Sequence, residues 1–452
     1  MKRRILYIVA VICCVFFVSC EKFLDEKPNK KLVVLSSVKD AQALMNNSSV
    51  FITTHPTSGE FAAGDFYLLT EDWQSLSWQS HRQSYIWGDH VFDDMERNDW
   101  SLPYVAVYNA NIVLDAIANG EIKQGTQREI ADVQGQALFY RSYAFYSLLQ
   151  LFAKAWDNTT AQSDLGIPLR LSSDFNIPVG RSSVAACYEQ IIKDLQEAAG
   201  LLNETTALKT RPSKTAAHAF LARVYLNIGR YELAQASAND ALASNNQVID
   251  YNTLDATAEF PFATFNEEVI YHVRLWNFLP YPPAPKIERG LLKSYHEDDL
   301  RKSLFFVTNN DGTFSYKAGY NGDDGLFNGL ATDELLLIRA ECFARLGKTS
   351  QAIQNLNALL AKRWKSGSFV PFTAMTSEDA LKIILEERRK ELVFRGLRWS
   401  DLKRLNKEPR FAVTLEKTIS GKEYVLPPND NRYVFPIPSA VIQMSGIEQN
   451  PR

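Results

Sequence analysis

Apolar residues recur along most of this chain at the spacing of helix faces. From Val133, the series Ala137, Tyr140, Ala144, Leu148 and Leu151 steps by three or four residues. Phe139, Tyr143 and Tyr146 draw a second apolar stripe on the same segment, and a helix apolar on two sides must lie between others. Val107, Ala110, Leu114 and Ile117 predict an amphipathic helix before it. Ser183 to Leu202 predicts another after it, with Cys187 in line with Ile191 and Leu195 as a buried thiol.

A helix–turn–helix unit then appears twice. Pro212 to Ile228 runs up, Gly229 breaks, and Tyr231 to Leu242 returns; Thr332 to Leu346 runs up, Gly347 breaks, and Ser350 to Arg363 returns. Superposing the two glycines aligns Ala222 with Ala340, Tyr225 with Phe343 and Ala234 with Ala352. Small residues let helices approach, an aromatic fills the gap and glycine supplies a left-handed cap. This is tetratricopeptide logic, and residues 104–153 offer a third pair. Two long stretches, Phe51 to Asn98 and Tyr251 to Leu330, lack helical period, and long irregular segments in a folded domain are commonly functional. The expected fold is mainly α: a tetratricopeptide-like hairpin scaffold with long irregular loops and a few short strands.

Composition narrows the class. The 452 residues carry a formal net charge of -3, with 46% hydrophobic and 22% charged residues, as in an ordinary globule and without the basic field that draws nucleic acid. Lys2, Arg3 and Arg4 precede an uncharged apolar run from Ile5 to Val18, which ends in Phe17-Val18-Ser19-Cys20. That run fits a secretory leader, 1–19, better than a membrane span. Its end resembles a bacterial lipobox, with Cys20 the lipidated first residue of the mature chain, and two or three acyl chains make a stable anchor. Cys187 and Cys342 are the cysteines left, and no C-x-x-C occurs.

Motifs with catalytic overtones carry little weight. Gly347-Lys348-Thr349 resembles the end of a phosphate loop, but Cys342 stands where the first glycine belongs and a helix precedes it. Neither H-E-x-x-H nor G-x-S-x-G is present. The adjacent acids Asp93-Asp94 and Asp298-Asp299 suit a glycosidase acid and base, yet neighbours seldom face one locus. Turns at Asp311 and Asp323 suit an irregular calcium site but miss EF-hand spacing, and solvated turns are the simpler reading. The dense charge of Glu386 to Arg395, with the i,i+4 pairs Glu386–Lys390 and Glu391–Arg395, reads as a solvated structural corner ended by Gly396.

Several stretches together resemble the SusD/RagB family of outer-membrane nutrient-binding lipoproteins of Bacteroidetes. They are Cys20 with Phe23-Leu24-Asp25 and Pro28, Phe152 with Gly166-Ile167-Pro168-Leu169, and Ser213-Lys214-Thr215-Ala216-Ala217 through Gly229-x-Tyr231. Glu267 to Ile270, Glu387-Arg388-Arg389-Lys390-Glu391-Leu392, Gly396-x-Arg398-Trp399-x-Asp401-Leu402-x-Arg404, Pro436-Ile437-Pro438 and Gln449-Asn450-Pro451 complete the resemblance. It implies a single SusD-like domain over 20–452, with an N-terminal part to about 210 and a C-terminal part from 211. It also implies a non-enzymatic, lipid-anchored protein at the cell surface, without cofactor. Such a protein captures oligosaccharides and passes them to a SusC-like TonB-dependent transporter. A peptide-binding member of the family and, less favoured, a helical glycoside hydrolase are the alternatives.

No ligand residue follows from the motifs, so the site must come from physics. A sugar ring stacks an apolar C–H face on an aromatic ring and offers its hydroxyls to polar side chains. Trp100, Trp156, Trp364 and Trp399 lie at or beside helix ends and read as core. Trp73, Trp78, Trp87 and Trp276 lie in the irregular segments among Asp72, Arg82, Asp89 and Asn277, with Tyr281 and Tyr320 in Pro- and Gly-rich turns. These ten residues are the candidate ligand surface, against the plain alternative that each ring is tucked onto the scaffold.

Overall fold

Thr126 opens the longest helix among the described residues with a reciprocal cap: its hydroxyl accepts from the Glu129 amide, and the Glu129 carboxylate accepts from the Thr126 amide. The structure is a computed structural model describing residues 35–92, 97–276 and 285–452. Cys20, Asn277, Tyr281 and the Asp93-Asp94 pair lie outside the described residues. The helices of eight residues or more are α1 (Val38–Met45), α2 (Ser101–Ala118), α3 (Gln127–Phe152), α4 (Val184–Leu201), α5 (Lys214–Asn227), α6 (Tyr231–Ser244), α7 (Thr332–Arg345), α8 (Thr349–Leu360), α9 (Ser377–Glu391) and α10 (Arg398–Leu405). None of the described helices is long and apolar enough to cross a membrane.

The two stripes on α3 find the neighbours they require. α2 packs on one side and α4 on the other, and Phe139, Tyr143, Leu148 and Cys187 are all buried. Arg141 of α3 ties the three helices together, donating to Asp194 of α4 at 2.7 Å and to Asn111 of α2 at 2.9 Å. The hairpins α5–α6 and α7–α8 close alike. Gly229 (φ 71°) and Gly347 (φ 77°) are left-handed, Arg230 N–H donates to Tyr225 O at 2.9 Å, and Lys348 N–H donates to Phe343 O at 2.8 Å. That bond from the second residue beyond the C-cap back to the helix's last turn is the Schellman closure. The aligned alanines at 222, 234, 340 and 352 are fully buried, and α6 packs on α7 so that the hairpins stack. Gly347-Lys348-Thr349 is therefore a hairpin turn.

Among the described residues, the two stretches without helical period are long irregular segments, as expected, interrupted by short regular elements. They fold into short helices (Ser58–Ala62, Thr70–Ser75, Gln79–Tyr85, Leu300–Phe305) and an antiparallel four-stranded sheet in the order Phe66–Tyr67, Lys286–Ile287, Phe314–Tyr316, Phe306–Thr308. Each element is too short to display a period, and Phe66 pairs with Ile287 from far along the chain. Together they bury a second apolar cluster containing Phe61, Phe66, Tyr85, Tyr251, Phe262, Tyr320 and Phe327. The aromatic richness of these segments is largely the content of that core.

The charged helix also departs from expectation. Glu387, Arg388, Lys390 and Glu391 of α9 are buried, not solvated. Lys390 pairs with Glu387 in place of Glu386, and Arg395 pairs with Asp333 at 3.0 Å in place of Glu391. Glu391 instead meets Arg363 at 2.6 Å and Arg301 at 3.0 Å. Arg301 further holds Asp299 at 2.7 Å and Glu387 at 2.6 Å, and Arg363 holds Glu268 at 2.8 Å. The counter-charges come from remote segments, so sequence spacing could not reveal them. α9 ends at Glu391, and Gly396 (φ 68°) turns the chain after it. Asp299, read as solvated charge, belongs to this buried lattice.

Candidate functional site

Of the expected ligand residues, the fold brings two tryptophans into contact. Trp78 is the residue that precedes the Gln79–Tyr85 helix. Trp276 continues a stretch in which Leu275 bridges to His55. The rings meet edge to face with centroids 5.6 Å apart at 63°, and both are half-buried, each keeping part of its surface in solvent. Two separate chain segments thus supply one aromatic platform.

The backbone holds that geometry. Trp276 N–H donates to His55 O at 2.8 Å, and the Thr57 hydroxyl donates to Trp276 O. The Asp99 carboxylate accepts from the Thr57 and Ser58 amides at 3.1 and 2.7 Å; burial pushes Asp99 up while those bonds pull it back. His55 is neutral, since burial lowers it to about 4. On the Trp78 side, the Arg82 guanidinium donates to Leu76 O and so staples the loop that carries the tryptophan. His81, in the same short helix, stacks on Phe61 with centroids 4.2 Å apart and is lowered by burial to about 4. Thr57, Asp99 and His55 were not legible as positioning residues, because nothing in their local sequence announces a partner beyond residue 270.

The other candidates fall elsewhere. Trp73 is half-buried, packs on the second core and donates its indole N–H to Arg82 O at 3.0 Å. Asp72 caps its own short helix, accepting from Leu69 N–H at 3.4 Å. Asp89 is exposed and faces Arg452 at 3.5 Å. Two expectations are corrected by burial. Trp87 is 3% exposed, donates to Ala62 O at 3.1 Å and has the Lys417 ammonium over its ring; Tyr320 is 2% exposed and donates to Glu268 at 2.7 Å. Neither ring has a face left for a ligand. Trp100 and Trp399 are core as expected, while Trp156 and Trp364 are half-buried at its edge. At the turns considered for calcium, Asp311 pairs with Lys286 and Asp323 with Arg274 at 2.8 Å.

A second concave surface was not read from the sequence. The 256–260 turn, the Leu300–Phe305 helix and the edge of the small sheet enclose a cleft of about 680 Å³, walled by Phe260, Phe314, Lys302, Glu259 and Asp324. Phe260 is exposed there.

Residues 22–226 match a family model described as starch-binding associating with outer membrane, and residues 332–452 match the model of the SusD family. The chain belongs to the SusD family. Among curated relatives of this SusD-family protein, it is similar to SusD-like protein P2 of Formosa agariphila, 25% identical over 89% of this chain and 90% of the relative. Its fold is that of a SusD superfamily protein of Bacteroides thetaiotaomicron (TM-score 0.73, 22% identity, 92% of this chain and 100% of that one). A putative sugar binding protein of Bacteroides vulgatus is comparably near (TM-score 0.74, 20% identity, 92% and 99%).

Proposed function

We propose that this SusD-family protein captures oligosaccharides on the Trp78–Trp276 platform and passes them, chemically unaltered, to a SusC-like TonB-dependent transporter in the outer membrane. Lipid on Cys20 tethers it to the outside of the cell in this reading. The observation that carries the proposal is the edge-to-face pair itself: two half-exposed indoles from separate segments offer differently oriented apolar faces, the arrangement that grips a bent chain of pyranose rings. The outer-membrane and starch-binding description of the matching family model and the sugar-binding name of one structural neighbour support the same reading. A binding role without hydrolysis is also supported by Asp299, which is spent on Arg301 and unavailable as an acid or base.

Calorimetry of the mature chain against oligosaccharide and peptide panels tests this. Oligosaccharide binding should weaken at least about tenfold in Trp78→Ala and Trp276→Ala, as the loss of one stacked ring implies, and Phe260→Ala should leave it unchanged. Binding of peptides alone overturns the ligand class, and loss of binding only in Phe260→Ala moves the site to the cleft. New reducing ends on incubation with polysaccharide would replace binding by hydrolysis.

A further inference from the structure

An apolar groove runs between the first half of α2, the irregular stretch 168–179 and the short Ser439–Ser445 helix. It encloses about 390 Å³ and is walled by Tyr104, Val105, Tyr108, Val179, Val441 and Ile447, among others. That volume is in the range of small-molecule sites. Neither Trp78 nor Trp276 belongs to its walls.

The groove is built and not merely left open. Asn111 of α2 donates to Arg170 O at 2.9 Å and to Ser172 O at 3.2 Å. Asp115, one turn on, accepts from Ser173 N–H at 2.7 Å. The Tyr104 hydroxyl donates to Pro168 O at 2.9 Å. These bonds fix the irregular stretch against the helix. α2 already turns Ala106, Val107 and Ala110 inward, yet Val105 and Tyr108, three residues apart on its other side, are exposed. The segments that supply the walls also expose Leu171, Ile177, Phe175 (74%) and Met444 (80%). Exposed apolar groups gathered around a concavity mark a binding surface.

One charge stands in this apolar setting. Arg170 lines the groove and is half-buried. Its guanidinium makes a single long hydrogen bond, to Ile177 O at 3.4 Å, and among the described residues no carboxylate pairs with it. The Tyr104 hydroxyl feels its charge, which puts the guanidinium near the Tyr104 end. A guanidinium offers five donors in a fork that matches a carboxylate. Tyr104 is already spent on Pro168, and the Ser445 hydroxyl on Val441 O. A sugar would set its hydroxyls against valine and isoleucine without partners. The complementary guest is a long apolar chain with one acid at its end, and a groove of this volume admits a single chain, not a bilayer surface.

We propose that this groove binds a free fatty acid of medium length, its tail along Val105, Tyr108, Val441 and Ile447 and its carboxylate on Arg170. The site stands independently of the oligosaccharide platform.

Calorimetry of the mature chain, prepared without its lipid, is the test, with octanoate and decanoate below their micelle concentrations, 1-octanol and octyltrimethylammonium. Decanoate should bind more tightly than octanoate, by up to about fourfold for each added methylene. Octanoate should exceed 1-octanol about tenfold, the worth of a hydrogen-bonded charge. Arg170→Met should bring octanoate down to the level of 1-octanol and leave 1-octanol unchanged, a loss of preference that a merely structural role would not produce. Val105→Asp should abolish binding of both, with circular dichroism checking that α2 survives, and Trp276→Ala should leave both untouched. No saturable binding of either fatty acid, no gain from octanoate to decanoate, equal binding of the ammonium, or an unchanged preference in Arg170→Met each overturns the proposal. So does a concentration-dependent dimer that Val105→Asp breaks, which gives the groove to a second copy of the chain. Capture by neutral phospholipid vesicles that is lost in Val105→Asp overturns it too, in favour of a bilayer.

Discussion

Arg363 Nε lies 2.6 Å from Glu391 Oε1, and both side chains are fully sealed from solvent. The pair joins the residues just beyond α8 to the last residue of α9. Through the second nitrogen of Arg363 and through Arg301 it reaches Glu268, Asp299 and Glu387. The hairpin scaffold and the small-sheet region are thus joined by charge as well as by apolar contact.

Removing one member of this lattice strands the rest. Glu391→Ala should cost about 3–5 kcal/mol, the usual result of leaving buried charge uncompensated, read as a lower urea midpoint at unchanged slope. Arg363→Met combined with Glu391→Leu and Glu268→Gln should cost less than Glu391→Ala alone, because both carboxylates leave together with the guanidinium they share. A triple variant as unstable as the single one would show that these side chains matter for shape and not for charge.

Glu60 gives the stability a pH signature. Burial, reinforced by Asp65, raises its carboxyl to about 8 against an ordinary 4.5, with the Gly396 amide and Arg398 pulling the other way. The folded state therefore holds a proton that the unfolded chain releases between pH 4.5 and 8. Its favourable contribution is complete below 4.5 and is lost as pH rises through 8. In paired unfolding curves, Glu60→Gln should gain on the wild type across that window by up to about 1.4 kcal/mol per pH unit. A difference that stays flat would place the Glu60 titration outside the window.

The two turn glycines can be tested without steric complication. A Cβ on Gly347 would meet nothing within 4 Å, so Gly347→Ala should cost about 1–2 kcal/mol from left-handed backbone strain alone. Gly347→Asn should recover part of that. Gly229→Ala should match it, since the nearest atom to its Cβ would be the Tyr231 hydroxyl at 3.7 Å. Differential scanning calorimetry of the three variants makes the comparison.

The tryptophans should divide by role. Trp87→Ala should lose about 3–5 kcal/mol of stability, as for a large side chain cut from a core. Trp78→Ala and Trp276→Ala should lose about 1 kcal/mol or less while losing ligand. Thermal melts and titrations on the same preparations separate the two classes.

What the sequence could show depended on the length of each element. α3, α5 and α7 repeat their apolar spacing over several turns, and Gly229 and Gly347 mark their own turns, so the hairpins were legible. The second core was not: its strands span two or three residues, and Phe66 finds Ile287 only in the folded chain. The misreading of Trp87 and Tyr320 as surface rings follows from that, because polar neighbours in sequence do not tell which way a ring points. The charged stretch from Glu386 to Arg395 looked solvated for the same reason, since Arg301, Arg363 and Asp333 lie outside it along the chain. Trp78 and Trp276 were both legible as candidates, whereas their meeting was not.

Two indoles held 5.6 Å apart at 63° do not absorb ultraviolet light independently. Their excited states mix, and such a pair gives a two-signed circular dichroism band whose shape depends on the angle between the rings. The protein thereby carries an optical gauge at its own candidate surface: a guest settling on either indole would distort that band, without any dye or label attached.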